Sequence, residues 1–155
     1  MTDPRPTAVI TGASGALGSQ LVRRLSEDGW QVLACDLVPA NERPGVTSFP
    51  ADVTIAADME RLAGQAASTG RFRLWVNAAG IFPVGPVTAA TDDDWNRNIA
   101  VNLTGSFNGC RAALPRLERG GRIINISSIA GQSGVAGLHP ALGPCQPGGA
   151  ARRAV

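Results

Sequence analysis

Residues 7–18 read Thr-Ala-Val-Ile-Thr-Gly-Ala-Ser-Gly-Ala-Leu-Gly, and this stretch decides the fold. The apolar and β-branched residues at 7–11 predict a buried strand, and the apolar periodicity after Ala16 predicts a helix. Gly12 permits a tight turn between them, Gly15 permits close approach of the backbone, and Gly18 lets the helix lie against the sheet. This strand–turn–helix pattern is typical of a pyrophosphate-binding turn, and an ordinary glycine turn is the alternative.

Outward from this turn, short apolar runs alternate with amphipathic windows. The predicted elements are a helix over 16–28, strands over 31–36 and 46–50, a helix over 55–70, a strand over 73–77, a long helix over 91–115 and a strand over 122–126. We expect Thr91 to cap the long helix, whose first turn carries three aspartates. Strict alternation with short loops predicts an α/β fold, a doubly wound parallel sheet covered on both faces.

Length and composition exclude several classes of protein. The 155 residues predict one domain, and a net charge of +2 gives no reason to expect nucleic acid or an anionic membrane as a partner. No apolar run reaches the roughly 18 residues that span a bilayer, and the first residues lack the apolar core of a secretory leader. We therefore expect a cytoplasmic protein. Its three cysteines are widely spaced, which favours reduced thiols and no metal site.

Asp36 ends the second predicted strand, 18 residues after Gly18. An acid at this place accepts hydrogen bonds from the adenosine ribose hydroxyls of a dinucleotide. Its charge would repel a 2′-phosphate, and the glycine turn contains no arginine, so the sequence favours NAD over NADP. The alternative is a solvated acid at a strand end.

Five ordered motifs between about residues 6 and 137 resemble the classical short-chain dehydrogenase/reductase family. The motifs lie at 11–18, Asp52-Val53-Thr54, Asn77-Ala78-Ala79-Gly80, 101–105 and 124–131. Ala16 stands where many members carry glycine. The glycine spacing also suits the family's extended branch, whereas the motifs at 77–80 and 101–105 favour the classical one.

The resemblance implies a Rossmann-like sheet with the strand order 3-2-1-4-5. It also implies a nicotinamide dinucleotide as cofactor, for which we expect NAD rather than NADP. It also implies hydride transfer between the nicotinamide and a small alcohol or carbonyl substrate. The implied cofactor-binding residues are Gly12, Ser14, Gly15, Leu17, Gly18, Asp36, Asp52, Val53, Asn77, Ala78 and Gly80.

Two polar residues receive catalytic roles from the resemblance. Ser128 would orient the substrate oxygen, with Ser127 pointing into the sheet, and Asn102 would support a proton-relay water. Alternatively, Ser128 only caps the loop after the strand, and Asn102 only accommodates an irregularity in the helix.

The family's proton-transfer pair, Tyr-x-x-x-Lys, would fall at Ala141 and Cys145. The chain contains no tyrosine, and all 14 of its basic residues are arginine. His139 is a poor substitute, because a lone histidine in a Pro/Gly-rich stretch is usually a surface residue. We therefore predict no useful turnover, which leaves a catalytically dead dinucleotide-binding fragment or an NAD-sensing interaction module as alternatives.

The sequence loses its periodicity in residues 138–155, where proline and glycine are dense. We expect an incomplete dinucleotide-binding domain over 1–137, lacking the family's C-terminal strands and helices, followed by an irregular tail. A frameshift near residue 140 of a GC-rich gene is one explanation. The resemblance also implies a homo-oligomer, and without the following helix we expect Trp95, Ile99, Leu103 and Phe107 to be only partly covered.

Overall fold

The computed structural model describes residues 5–40 and 43–128 of the chain. The strands are β1 (Thr7–Thr11), β2 (Gln31–Asp36), β3 (Val46–Pro50), β4 (Phe72–Asn77) and β5 (Arg122–Asn125). The helices are α1 (Ala16–Glu27), α2 (Ala56–Ser68), α3 (Asp92–Asn98) and α4 (Gly105–Ala113), with a 3-10 turn at Val87–Ala89 and π-helical turns at Ile99–Thr104. The strands form one sheet in the order β3-β2-β1-β4-β5, which confirms the predicted fold and strand order.

Every strand pairing in this sheet is parallel. Thr11 at the end of β1 pairs with Cys35 on one side and with Asn77 on the other. Because β1 is buried along its whole length, it reads as an uninterrupted apolar and β-branched run rather than an alternating one. The aligned strand ends place the loops after β1, β2, β3 and β4 at a single edge.

Helices cover the two faces of the sheet and create two hydrophobic cores. On one face, α2 and α4 pack over a core that contains Met59, Leu62 and Trp75. On the other face, α1 contributes Val22 to a core that contains Ile10 and Val76. The sheet is therefore doubly wound, as the alternation of elements predicts.

The long helix differs from its prediction, because it is not one continuous α-helix over 91–115. Thr91 caps its start as expected, and it also forms a capping box with Asp94. The helix then passes through the π-helical turns and resumes as α4, which begins at Gly105. The apolar spacing in the sequence fits an α-helix throughout and therefore does not predict the wider turns.

Some sequence-based predictions concern residues outside the described ranges. These are the domain boundary at 137, the 138–155 tail, and the positions of His139, Ala141 and Cys145. Within the described residues, no helix has the length and apolarity needed to cross a membrane.

Candidate functional site

A cleft of about 620 Å³ opens at the edge where the strands end. It lies where the strand order reverses, between β1 and β4, which is where open α/β sheets bind their ligands. The lining residues are Gly12, Ser14, Gly15, Asp36, Leu37, Ala51, Asp52, Val53, Thr54, Ala78, Ala79, Gly80, Ile81, Arg97, Ala100 and Val101.

The glycine turn between β1 and α1 forms one wall of the cleft, and both Gly12 in this turn and Gly18 near the start of α1 are sterically required. Gly12 has a φ of 66°, and a Cβ there would lie 2.7 Å from the Ala79 backbone. A Cβ at Gly18 would lie 2.0 Å from the Gly12 carbonyl oxygen. No described side chain caps the N-terminus of α1, which begins directly after Gly15. The turn therefore brings a helix N-terminus to the cleft without a side chain over it.

Asp36 is fixed at the end of β2 by three backbone N–H groups, of which that of Val38 is the most distant, at 3.5 Å from Oδ1. Its Oδ2 accepts a hydrogen bond from the Ser14 N–H at 2.9 Å, and its Oδ1 accepts one from the Leu37 N–H at 2.7 Å. The Ser14 hydroxyl in turn donates to the Val38 carbonyl oxygen at 2.9 Å. The turn and the acid thus form one unit, in which the Ser14 N–H already has an acceptor.

The loop after β3 brings Asp52 and Val53 to the cleft. The Asp52 carboxylate accepts hydrogen bonds from the Thr54 N–H and hydroxyl, each at 2.8 Å. The Asn108 Nδ2 of α4 donates to the Val53 carbonyl oxygen at 3.0 Å. A Cβ at Gly105 would lie 2.7 Å from the Val53 Cγ2, so the missing side chain allows α4 to approach this loop.

The residues of the motif at 77–80 have two different roles. The first residue holds the sheet together, and the other three line the cleft. Asn77 is buried, accepts a hydrogen bond from the Trp75 Nε1 at 2.7 Å and donates to the Asn125 Oδ1 at 2.8 Å. It therefore joins β4 to β5 and does not line the cleft. Ala78 and Ala79 follow on the cleft side, where their N–H groups donate to the Thr11 hydroxyl oxygen at 3.1 and 3.2 Å.

Asn102 lies in the π-helical turns, and its amide makes three hydrogen bonds. The Nδ2 donates to the Ile81 carbonyl oxygen at 3.0 Å and to the Asn98 Oδ1 at 2.8 Å, while its Oδ1 accepts from the Ile81 N–H at 2.9 Å. Asn98 is completely buried, and its Nδ2 has no partner among the described residues. The side chain of Asn102 therefore holds the loop after β4 against the helix.

The structure brings together eight of the predicted site residues and leaves five outside the cleft lining. Those in the lining are Gly12, Ser14, Gly15, Asp36, Asp52, Val53, Ala78 and Gly80. Those outside it are Leu17, Gly18, Asn77, Asn102 and Ser128. Leu17 is half exposed on the first turn of α1, and Ser128 is half-buried, three residues beyond β5.

Sequence reasoning missed several lining residues, of which Arg97 is the most distinctive. It is the one basic residue among the described residues that line the cleft. Arg97 precedes Val101 by four positions, so helical spacing from the motif at 101–105 could have placed both on the same face.

Cys35 lies on β2, is buried, and has an unreactive thiol. Its burial, followed by the nearby carboxylates of Asp36, Asp58 and Asp52, raises the pKa of the thiol to about 12. A thiol with this pKa stays protonated near neutral pH and is a poor nucleophile. Among the described residues, no group of histidine, cysteine and acidic side chains is arranged to hold a metal ion.

Comparisons with known proteins agree with this architecture. A family model described as short chain dehydrogenase matches residues 6–140. The chain is 35% identical over 145 residues to trans-4-hydroxycyclohexanecarboxylate dehydrogenase of Sinomonas cyclohexanicum, covering 82% of this chain and 56% of that protein. It is 37% identical over 138 residues to 3beta-hydroxysteroid dehydrogenase 1 of Eggerthella lenta, covering 79% of this chain and 53% of that protein.

A solved structure gives the same result. The short-chain dehydrogenase/reductase of Brucella melitensis, described as a glucose/ribitol dehydrogenase, superposes with a TM-score of 0.82 at 27% identity, covering 94% of this chain and 67% of that one. The chain spans about half the length of the curated relatives that it matches.

Proposed function

The chain belongs to the short-chain dehydrogenase family, and on that premise we propose that its cleft binds a nicotinamide dinucleotide, with NAD preferred to NADP. The observation that carries the proposal is the position of Asp36, which three backbone N–H groups hold in the cleft wall beside the glycine turn. A carboxylate fixed there accepts the ribose hydroxyls of NAD and opposes the 2′-phosphate of NADP.

The glycine turn also supports the binding of a dinucleotide. A side chain at Gly12 or Gly18 would collide with the neighbouring backbone. The glycine turn therefore packs tightly against the start of α1 and the loop after β4. The uncapped N-terminus of α1 favours an anion, because its unpaired N–H groups and the helix dipole both attract negative charge. The residues present therefore fit the pyrophosphate of a dinucleotide.

For the whole protein, we propose oxidoreduction of a small alcohol or carbonyl compound, since the relatives named above are dehydrogenases. The bound nicotinamide would supply the hydride acceptor or donor. Ser128, which follows β5 at the same edge of the sheet, would orient the substrate oxygen, and Asn102 would support a relay water.

For these 155 residues by themselves, we propose dinucleotide binding without turnover. The sequence offers neither the phenol nor the primary amine that the family uses to move the substrate proton. General acid–base catalysis contributes about 10²–10⁴-fold to a rate, so losing both groups should abolish useful activity. The absence of tyrosine and lysine thus favours a binding or NAD-sensing role as the second candidate function.

The cofactor preference is tested by titrating the chain with NAD and NADP and repeating both titrations with Asp36→Asn. We expect NAD to bind more tightly than NADP to the native chain. The variant should lose about tenfold in NAD affinity and most of the discrimination, because it removes the charge and a strong acceptor.

Glu27→Gln is the matched control, since it removes a charge from the exposed end of α1, away from the cleft lining. It should leave both affinities unchanged. Equal binding of NAD and NADP by the native chain would contradict the proposed preference.

A further inference from the structure

Arg97 is a basic residue in the cleft to which the proposed function assigns no role. It lies in the last turn of α3, is exposed, and lines the cleft. Its guanidinium makes no hydrogen bond or ion pair with any described residue. The group is therefore available to a ligand without first breaking an internal contact.

The surroundings of Arg97 identify the part of the cleft that it faces. Ala100 and Val101 follow on the same helical face and line the same cleft. Val101 packs against the core cluster that contains Val53, and the Asn108 side chain fixes the Val53 carbonyl to α4. Arg97 thus stands at the rim of an apolar wall formed by Val53 and Val101.

This wall lies apart from the groups proposed to bind the phosphates. The uncapped N-terminus belongs to α1, which covers one face of the sheet, whereas α4, which continues the helix of Arg97, covers the other. An apolar wall suits the flat base of the ligand better than its ribose or its pyrophosphate. A planar guanidinium beside such a wall can stack on an aromatic base, which a lysine ammonium cannot do.

We propose that Arg97 is a ligand-binding residue whose guanidinium stacks on the adenine base of the bound dinucleotide. The proposal rests on the proposed function, because it requires a dinucleotide in this cleft. Its distinct claim is that affinity depends on the planar shape of the side chain and only weakly on its charge.

The test measures dissociation constants for ADP-ribose with the native chain, Arg97→Gln and Arg97→Lys at low and at high salt. Both variants should bind about three- to tenfold more weakly than the native chain, the range expected for a stacked cation. The ratio between native and variant should change little with salt, since stacking is screened less than an ion pair.

Arg23→Gln is the control, because it removes the same charge from an exposed position on α1 outside the cleft lining. Its affinity should match that of the native chain, and circular dichroism should show the same fold for all variants. Native-like binding by Arg97→Lys, or a loss that disappears at high salt, would overturn stacking in favour of a charge contact with phosphate.

Two further outcomes separate this inference from the proposed function. If the native chain binds ADP-ribose and Arg97→Gln binds it equally well, the inference is wrong and the proposed function stands. If the native chain binds no ADP-ribose, both are wrong.

Discussion

Gly18 and Gly64 differ in the space that the fold leaves for a side chain. Gly18 lies where the start of α1 meets the glycine turn, and an added Cβ would overlap the Gly12 carbonyl oxygen. Gly64 lies within α2, and an added Cβ there would meet open space. The two positions therefore form a matched pair for testing how tightly the turn is closed.

We predict that Gly18→Ala destabilises the chain by about 3 kcal/mol or more, because backbone atoms must move to admit the methyl group. Gly64→Ala should stabilise it by up to about 1 kcal/mol, since alanine favours the helix. Urea unfolding followed by circular dichroism measures both changes. Similar stability of the two variants would show that the turn has room for a methyl group at residue 18.

Residue chemistry also explains which site predictions could be made from the sequence. The position of Asp36 at the cleft could be predicted, because the order of the elements alone places the end of the second strand at the binding edge of the sheet. Its bond with the Ser14 N–H could not, because that contact depends on how the turn folds back over the end of β2. Arg97 was missed because its part in the cleft depends on where its helix crosses the sheet.

At the scale of elements, the sequence predicts the strands and the first two helices closely, because their apolar periodicity coincides with their burial. The interrupted helix is the exception. Asn102 lies in the π-helical turns, and its side chain makes two hydrogen bonds to the backbone of Ile81. A bond to a residue in another loop leaves no trace in the periodicity of the helix itself.

A matched pair of truncations tests whether Asn102 fixes this element. Asn102→Ala should cost about 2–4 kcal/mol, because it leaves the N–H and carbonyl of Ile81 without their partner. Asn98→Ala should cost at least about 1 kcal/mol less, since it also removes a buried amide N–H₂ that has no partner among the described residues. Thermal and urea unfolding of both variants provide the measurement, and equal losses would contradict this assignment.

For the whole molecule, the described residues form the parallel sheet and the cleft that the sequence motifs predict. The helix from α3 to α4 presents Trp95, Leu103 and Phe107 to solvent, with exposures of 40%, 37% and 57%. The sequence-based expectation that this face is only partly covered is thus confirmed for these three residues. Exposed apolar side chains on one helix are typical of an association surface, in keeping with the homo-oligomer that the resemblance implies.

The central claim for the whole molecule is that this chain binds the adenosine half of a dinucleotide without catalysing hydride transfer. The cleft residues that support binding come from the glycine turn, Asp36 and the loop after β3. In the proposed binding mode, all of them contact the adenosine and pyrophosphate portions. The positions where the family's tyrosine and lysine would fall, 141 and 145, hold alanine and cysteine.

Calorimetric titration with NAD and with ADP-ribose, followed by a search for NADH formation with a panel of secondary alcohols, tests this claim most directly. We predict weak binding of both ligands with dissociation constants within about threefold of each other, because the nicotinamide half adds little. We also predict no steady NADH formation by the purified chain. Binding of neither ligand, or sustained NADH production, would contradict the account.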